Sequence, residues 1–276
     1  TVDSLIVGNF LGSSALAAVS SSGSLIFMLI GFLSGISAGA GVIVARFFGA
    51  GDEKNLQRAV HTTVAFGLVA GVLMTGVGVA LSPQILRWMD TPESVMRESV
   101  TYLQIYFAGS LGFVMYNVLV GILQAVGDSR HPLYYLIVSS VINLVLDLLF
   151  ITGFHTGVGG AAVATVISQI VSALLCFWQL LRTKESYGLK IRKIRFDKGI
   201  LVQIIKIGLP SGVQNSIIAF ANVIVQSNIN AFGEMAMAGY GAYTKVEGFG
   251  FLPINSFTMA LTTFVGQNLG AKQEER

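Results

Sequence analysis

The stretch VINLVLDLLF, at residues 141–150, decides the fold class of this chain. Eight of its ten residues are apolar, and the apolar run extends on both sides over residues 132–153. A helix of about 20 such residues is long enough to cross a bilayer. Asn143 and Asp147 nevertheless lie inside the run, four residues apart. The stretch therefore predicts a membrane helix that carries a carboxylate within the bilayer.

The composition of the whole chain agrees with a membrane protein. Its 276 residues are 53% hydrophobic and 11% charged, and the mean hydropathy is +0.72. Soluble domains carry about 25% charged residues, so most of this surface must contact something other than water. The single Cys176 and the scattered His61, His131 and His155 predict no internal disulfide and no metal cluster. We therefore expect no resident cofactor, no nucleic-acid partner, and a monomer in the lipid bilayer.

Clusters of Gly and Pro separate eight apolar spans, of which the first resembles the second half of a helix. The predicted spans are 1–12, 15–45, 59–81, 101–124, 132–153, 157–182, 206–232 and 236–265. They predict an all-α polytopic membrane bundle with about seven full spans plus the tail of the first.

The distribution of positive charge predicts the orientation of these spans. Of the 17 Lys and Arg, 14 fall in connections or in the tail on one side of the membrane, two fall on the other side, and Lys245 lies inside a span. Positive residues accumulate on the cytoplasmic side of membrane proteins. We therefore expect loops 46–58, 125–131 and 182–205 to be cytoplasmic in an inner-membrane protein. Because 189–207 mixes basic and apolar residues, we also expect a helix at the membrane interface there.

An internal repeat predicts the domain organisation. NFLGSSALAAV at 9–19 matches NAFGEMAMAGY at 230–240, and FFGAGDE at 47–53 matches NLGAKQE at 268–274, both at an offset of 221. Six spans separate the copies, so the two repeats are parallel. We expect two six-helix repeats, the second truncated, from a parent of roughly 440 residues or more with twelve helices. The predicted units are a first lobe at 1–190, an interfacial linker at 191–205, and the first two helices of a second lobe at 206–276.

Polar residues inside the spans are the candidates for function, because charge is expensive within a bilayer. With a rise of 1.5 Å per residue, Asp3, Asn143, Asp147 and Thr165 fall about 9–15 Å below the outer ends of their spans. Two carboxylates, an amide and a hydroxyl at one level suit a hard cation such as Na⁺ or a shared proton. A structural hydrogen bond between Asp147 and Asn143 is the alternative.

The last two spans carry a second set of polar residues. Gln214, Asn222 and Gln226 on span seven either line a cavity or bond to neighbouring helices. Lys245 and Glu247 on span eight belong either to a substrate cavity or to structural ion pairs.

The chain resembles the multidrug and toxic compound extrusion (MATE) family over essentially its whole length. The pieces that carry the resemblance are VDSLIVGNFLGSSALAAVS at 2–20, GAGDEKNLQRAV at 49–60, GILQAVGDSRHP at 121–132, NLVLDLLFITGFHTGVGGAAVATVIS at 143–168, GLPSGVQN at 208–215 and FVGQNLGA at 264–271. The resemblance implies two six-helix lobes around a central cavity and export by alternating access.

The bacterial branch that the chain resembles handles its coupling cation in the amino-terminal lobe. The matching positions are Asp3, Asn143, Asp147 and Thr165, which depth alone had selected. Some relatives add an Asn on the fourth helix; Asn117 is nearby here, although Val120 is the aligned residue. The Glu that other relatives place on the seventh helix is Ile218 in this chain.

The expected function is a secondary transporter, not an enzyme, that exchanges Na⁺ or H⁺ for organic cations or drugs. The alternative is a flippase for lipid-linked precursors of the same superfamily, which would need several cations in the membrane where only Lys245 is available. A membrane enzyme would need a catalytic motif that the sequence lacks, and the repeat with paired carboxylates favours a carrier over a passive channel.

Overall fold

The structure is a computed structural model that describes residues 2–89, 91–230, 232, 234–273 and 275. Within these ranges, some side chains lie outside the description: residues 2–5, 13–14, 16–18, 20–25, 27, 223, 226–227, 230, 234–238, 241–242 and 245.

The described residues form nine α-helices that account for the eight predicted spans. They are α1 (Val2–Leu11), α2 (Ser13–Gly49), α3 (Glu53–Trp88), α4 (Glu93–Ala108), α5 (Ser110–Ala125), α6 (Arg130–Leu148), α7 (Gly157–Arg182), α8 (Lys198–Asn230) and α9 (Glu234–Gly270). A π-helical turn, Leu149–Gly153, extends α6, and a 3₁₀ turn, Ile191–Lys193, lies in the linker before α8. The prediction of an all-α membrane bundle is confirmed.

A large apolar core occupies the cytoplasmic half of the bundle formed by α2, α3, α5 and α7. Its fully buried side chains include Val44, Val60, Leu119, Ile122 and Leu180. Much of the remaining apolar surface faces outward, as on α6, where Leu133, Ile137 and Val145 are exposed. This distribution is that of helices packed on one another and surrounded by lipid.

The third span is longer than predicted, because its helix continues through Pro83 to Trp88. Proline has no N–H to bond the carbonyl four residues earlier, which is that of Val79. The side-chain amide of Gln104 on α4 donates to the Val79 oxygen at 3.4 Å. The neighbouring helix therefore satisfies the freed carbonyl, as membrane helices require, and the predicted end at 81 is wrong.

The fourth span is a broken helix that begins at Glu93 rather than at 101. Its two parts, α4 and α5, meet at Gly109 with a bend of 47°. A Cβ atom at Gly109 would collide with Val166, and one at Gly112 would collide with Ile170. Close packing against α7 thus requires glycine at the bend.

The predicted interfacial helix at 189–207 is wrong in its first half. Only Ile191–Lys193 form a short 3₁₀ turn, the linker up to Asp197 is otherwise non-helical, and α8 begins at Lys198. The linker's backbone bonds side chains of α3 instead: the N–H of Lys190 donates to Nε2 of His61 at 3.0 Å, and the N–H of Asp197 donates to the hydroxyl of Thr62 at 3.0 Å. These bonds satisfy backbone groups that a helix would otherwise pair internally.

The internal repeat is visible in the helix boundaries. Helix α2 runs over 13–49 and α9 over 234–270; both have 37 residues and are offset by 221 positions at each end. A Cβ atom at Gly49 would collide with the backbone of Gln267, and one at Gly270 would collide with the backbone of Arg46. Positions 46 and 267, like 49 and 270, are equivalent under the repeat. The two copies therefore cross around a pseudo-two-fold axis at their cytoplasmic ends.

A second glycine contact joins α2 to α8. A Cβ atom at Gly35 would collide with Gly212, and one at Gly39 would collide with Gly208. The side-chain amide of Asn215 donates to the oxygen of Gly31 at 3.1 Å in the same seam. Small residues that let two backbones approach closely are the usual basis of helix association in membranes, so the α2–α8 and α2–α9 contacts close the cytoplasmic side.

Asp52 begins α3 and gives a pH-dependent cap. Its carboxylate accepts bonds from the backbone N–H and side-chain amide of Asn55, and these bonds lower the pKa of Asp52 below the ordinary 3.8. The cap's stabilisation is therefore complete above pH 3.8 and lost as the pH falls through the lower folded-state pKa. We expect Asp52→Ala to lower the melting temperature at neutral pH by about 2–4 °C, and the deficit to shrink towards pH 3.

Circular dichroism of the detergent-solubilised protein at both pH values measures this difference, with Glu53→Ala as the neighbouring control. A deficit that is the same at pH 7 and pH 3 would contradict the role of the charged cap.

Candidate functional site

Helix α6 buries polar residues and exposes apolar ones, the reverse of a helix in a soluble protein. Its buried residues are Pro132, Ser139 and Asp147, and Asp147 has 0% of its surface exposed. Asn143 is half-buried between them, so Ser139, Asn143 and Asp147 follow one another at intervals of four on one face. This face packs against α7 and α1, whereas the apolar residues point away. A membrane helix that turns its polar face inward is typical of a functional interior.

An apolar cluster, here the outer cluster, fixes the level of the site residues. Its buried members on α1, the π-helical turn and α7 are Ile6, Val7, Ile151, Val158, Ala161 and Ala162. Asp147 precedes Ile151 by four residues, and Thr165 follows Ala162 by three on the antiparallel α7. Position 3 of α1 precedes Ile6 by three. All three lie about one turn, 5.4 Å, on the cytoplasmic side of the cluster.

The structure thus brings Asp147 and Thr165 to one level, together with the backbone of Asp3. The side chain of Asp3 lies outside the described residues. The hydroxyl of Thr165 donates to the Ala161 oxygen at 3.0 Å.

Asn143 does not form the structural hydrogen bond to Asp147 that was the alternative explanation. Its amide Nδ2 is buried and donates to no described residue. One level further in, Oε1 of Gln169 on α7 is also buried and accepts from no described residue. Buried amide groups that have no described hydrogen-bond partner indicate that a ligand or water lies between the helices. Sequence reasoning missed Gln169 and Ser139, although the four-residue spacing of Ser139, Asn143 and Asp147 was a usable signal.

A π-helical turn begins at Leu149, two residues after Asp147. The N–H of Phe154 donates to the oxygen of Leu149 at 3.0 Å, five residues earlier. Such turns are rare and occur often at functional sites. Here the turn makes the outer end of α6 irregular next to the buried carboxylate.

Asn117 lies at a different level from these residues. It is eight residues from the cytoplasmic end of α5, or about 12 Å, whereas Asp147 is 17 residues from the cytoplasmic end of α6, or about 25 Å. Its amide donates to the Phe113 oxygen at 2.9 Å. The structure therefore does not bring Asn117 to the other predicted cation ligands.

The residues predicted for a substrate cavity are dispersed over α8 and α9. Gln214 and Asn222 are exposed, and the side chains of Gln226 and Lys245 lie outside the described residues. Glu247 accepts a bond from the hydroxyl of Tyr243 on its own helix at 2.9 Å. Among those whose side chains are described, Gln214, Asn222 and Glu247 do not line the cavity of about 670 Å³ that the structure shows between α5, α6 and α9.

Comparison with known proteins decides the family. The MatE family model matches residues 1–149 and 210–276. The chain belongs to the MatE family. The resemblance inferred from the sequence is confirmed, and with it a multi-pass protein of the cytoplasmic membrane.

Two relatives from Bacillus subtilis (strain 168) match the whole chain. The probable multidrug resistance protein YoeA is 34% identical over 282 residues, and the probable multidrug resistance protein YpnP is 31% identical over 275 residues. The chain covers 61% of each of them. It therefore spans about three fifths of the length of the curated relatives it matches.

Solved MATE structures have the same fold. A crystal structure of MATE in the bent conformation has a TM-score of 0.92 at 27% identity, covering 99% of this chain and 61% of its own. An outward-facing MATE transporter, 26% identical with coverages of 99% and 61%, has a TM-score of 0.89. An inward-facing one, 25% identical with coverages of 96% and 64%, has 0.78. The closer fit to the outward-facing structure agrees with the closed cytoplasmic contacts of α2.

Proposed function

We propose that the whole protein is a secondary transporter, not an enzyme, which exports organic cations or drugs across the cytoplasmic membrane in exchange for Na⁺ or H⁺. The observation that carries this proposal is the completely buried Asp147 on the polar face of a membrane helix. A charge buried within a bilayer costs free energy, and such residues usually serve a function. Membership of the MatE family and the names of the two Bacillus relatives support drugs as the exported class.

The coupling ion binds in this proposal at Asp3, Asn143, Asp147 and Thr165. Carboxylate, amide and hydroxyl oxygens are the ligands that a hard cation prefers. The same two carboxylates can serve H⁺ instead, because a carboxylate binds a proton as well as a metal cation. The set therefore accommodates either ion, and only a transport measurement separates them.

Coupled exchange results if the ion and the substrate bind preferentially to different arrangements of the two repeats. The present arrangement is closed on the cytoplasmic side by the α2–α8 and α2–α9 glycine contacts. Alternating access requires these contacts to separate so that substrate can enter from the cytoplasm. We propose that ion binding in the first lobe favours one arrangement and that substrate binding favours the other.

The test uses the full-length parent protein in proteoliposomes. Ethidium flux is followed under an imposed Na⁺ gradient, and then under an imposed pH gradient, in otherwise identical vesicles. Faster flux under one gradient, by about tenfold or more over protein-free vesicles, is expected and names the coupling ion. Flux that responds to neither gradient would sink the coupled-export proposal.

A further inference from the structure

A basic cleft lies on the cytoplasmic side, between the first turns of α3 and the linker that precedes α8. Its volume is about 610 Å³. Five cationic side chains and two carboxylates line it. The cations are Lys54, Arg58, Arg192, Lys193 and Arg195, and the carboxylates are Glu53 and Asp197. This excess of positive charge is gathered from two segments more than 130 residues apart in the chain.

Hydrogen bonds from α3 to the linker hold the cleft in shape. The backbone N–H of Lys190 donates to Nε2 of His61 at 3.0 Å, while Nδ1–H of His61 donates to the oxygen of Gln57. The N–H of Asp197 donates to the hydroxyl of Thr62 at 3.0 Å. His61 and Thr62 are almost completely buried by these contacts. The linker therefore has a fixed path across α3.

The cations of the cleft lack enough carboxylate partners. Arg58 and Asp197 approach at 3.8 Å, and the other four cations form no ion pair with a described residue. Positive charges gathered in one concavity repel each other unless an anion lies between them. The positive-inside rule explains the side of the membrane on which they lie, but it does not require them to converge on one cleft.

The surroundings of the cleft are those of a membrane surface. Ile191 and Phe196, which alternate with the linker's cations, are 61% and 47% exposed. At the nearby end of α7, the guanidinium of Arg182 lies 4.3 Å from the ring centre of Trp178, which is also exposed. Exposed apolar and aromatic side chains next to basic ones are typical of a segment at the lipid headgroups.

We propose that this cleft binds the phosphate group of an anionic phospholipid in the cytoplasmic leaflet. Arg192, Lys193 and Arg195 contact the phosphate from the linker, Lys54 and Arg58 contact it from α3, and Ile191 and Phe196 enter the headgroup region beside it. Guanidinium groups suit phosphate because they offer paired donors as well as charge. The bound lipid fixes the linker between the two repeats to the membrane surface.

The test measures lipid binding to the delipidated full-length protein by native mass spectrometry. Short-chain phosphatidylglycerol is titrated against phosphatidylcholine, and glycerol 3-phosphate is titrated in a separate series. We expect a preference for phosphatidylglycerol that falls about tenfold or more in Arg192→Gln/Arg195→Gln, since each cation near an anionic surface contributes roughly a fivefold factor. The matched control, Arg87→Gln/Arg97→Gln, removes two arginines on the opposite side and keeps the preference.

A second variant, Ile191→Ser/Phe196→Ser, leaves the cleft's cations in place and is expected to weaken phosphatidylglycerol binding several-fold without changing glycerol 3-phosphate binding. The proposal is overturned if the arginine variant retains the preference or if the control loses it equally. It is also overturned if glycerol 3-phosphate binds as tightly as the lipid, because the ligand is then a soluble phosphate.

Discussion

Asp147→Asn is expected to abolish gradient-driven export while leaving the protein folded in the membrane. The amide has nearly the volume of the carboxylate, so the packing of α6 on α7 is kept. The variant cannot carry a negative charge or release a proton, so neither Na⁺ nor H⁺ is held as before. Ethidium flux under the driving gradient should fall at least tenfold, to the level of protein-free vesicles. Proteoliposome flux at matched protein density measures this.

The matched control is Glu98→Gln, which makes the same carboxylate-to-amide change at an exposed position of α4. It should export at the wild-type rate. Thermal stability supplies a second readout, because a charge inside a bilayer costs about 2.5–3.5 kcal/mol at the centre and a neutral amide at the same position costs less. We therefore expect Asp147→Asn to melt no lower than the wild type. Normal export by Asp147→Asn would contradict the coupling role.

The physical reason to single out Asp147 is the helix that carries it. In a soluble protein α6 would bury its apolar residues, but here Ile137 and Val145 are exposed while Asp147 has no exposed surface. The surrounding lipid accepts the apolar face, and the bundle interior accepts the polar one. We therefore expect a carboxylate retained there to contribute to function rather than to packing.

The sequence predicted the spans well, because twenty apolar residues in a row allow few structures in a bilayer. The prediction failed where contacts with neighbouring helices determine the local structure. Pro83 resembled a stop, yet Gln104 from α4 satisfies the carbonyl that the proline leaves. The break at Gly109 depends on Val166 of α7, which lies far along the chain. The linker lacks its predicted helix because α3 side chains bond its backbone instead.

The candidate site was predictable to the level of single turns for the residues on α6 and α7. Counting residues from the span ends places Asp147 and Thr165 at one depth. The structure agrees, because both residues lie about one turn on the cytoplasmic side of the outer cluster. Counting could not show which way each side chain points, so Gln169 was missed. Asn117 was included because some relatives have an Asn on the fourth helix. Counting residues from the end of the fourth span would have shown that Asn117 lies at a different depth from Asp147 and Thr165.

Gly270→Leu is expected to hold the protein open on the cytoplasmic side. The Cβ atom alone would meet the backbone of Arg46, so α9 and α2 cannot keep their present approach. Overpacking of this kind costs about 1–3 kcal/mol, which shifts the ratio of closed to open protein roughly 5- to 150-fold. Spin labels at the exposed positions Ala50 and Lys272, in a Cys176→Ala background, should lose their short-distance population. Export should fall in proportion.

The repeat sharpens this test. Because Gly49 contacts Gln267 as Gly270 contacts Arg46, Gly49→Leu should open the same contact to a similar extent. Gly248→Leu is the control on α9, since a Cβ atom there meets no described residue within 4 Å; it should keep both the short distance and the export rate. If the Gly49 and Gly270 variants keep the short distance, the glycine crossing is not what closes the cytoplasmic side. If only one of them opens it, the two repeats do not share the contact equally, and the pseudo-two-fold axis has no mechanical role.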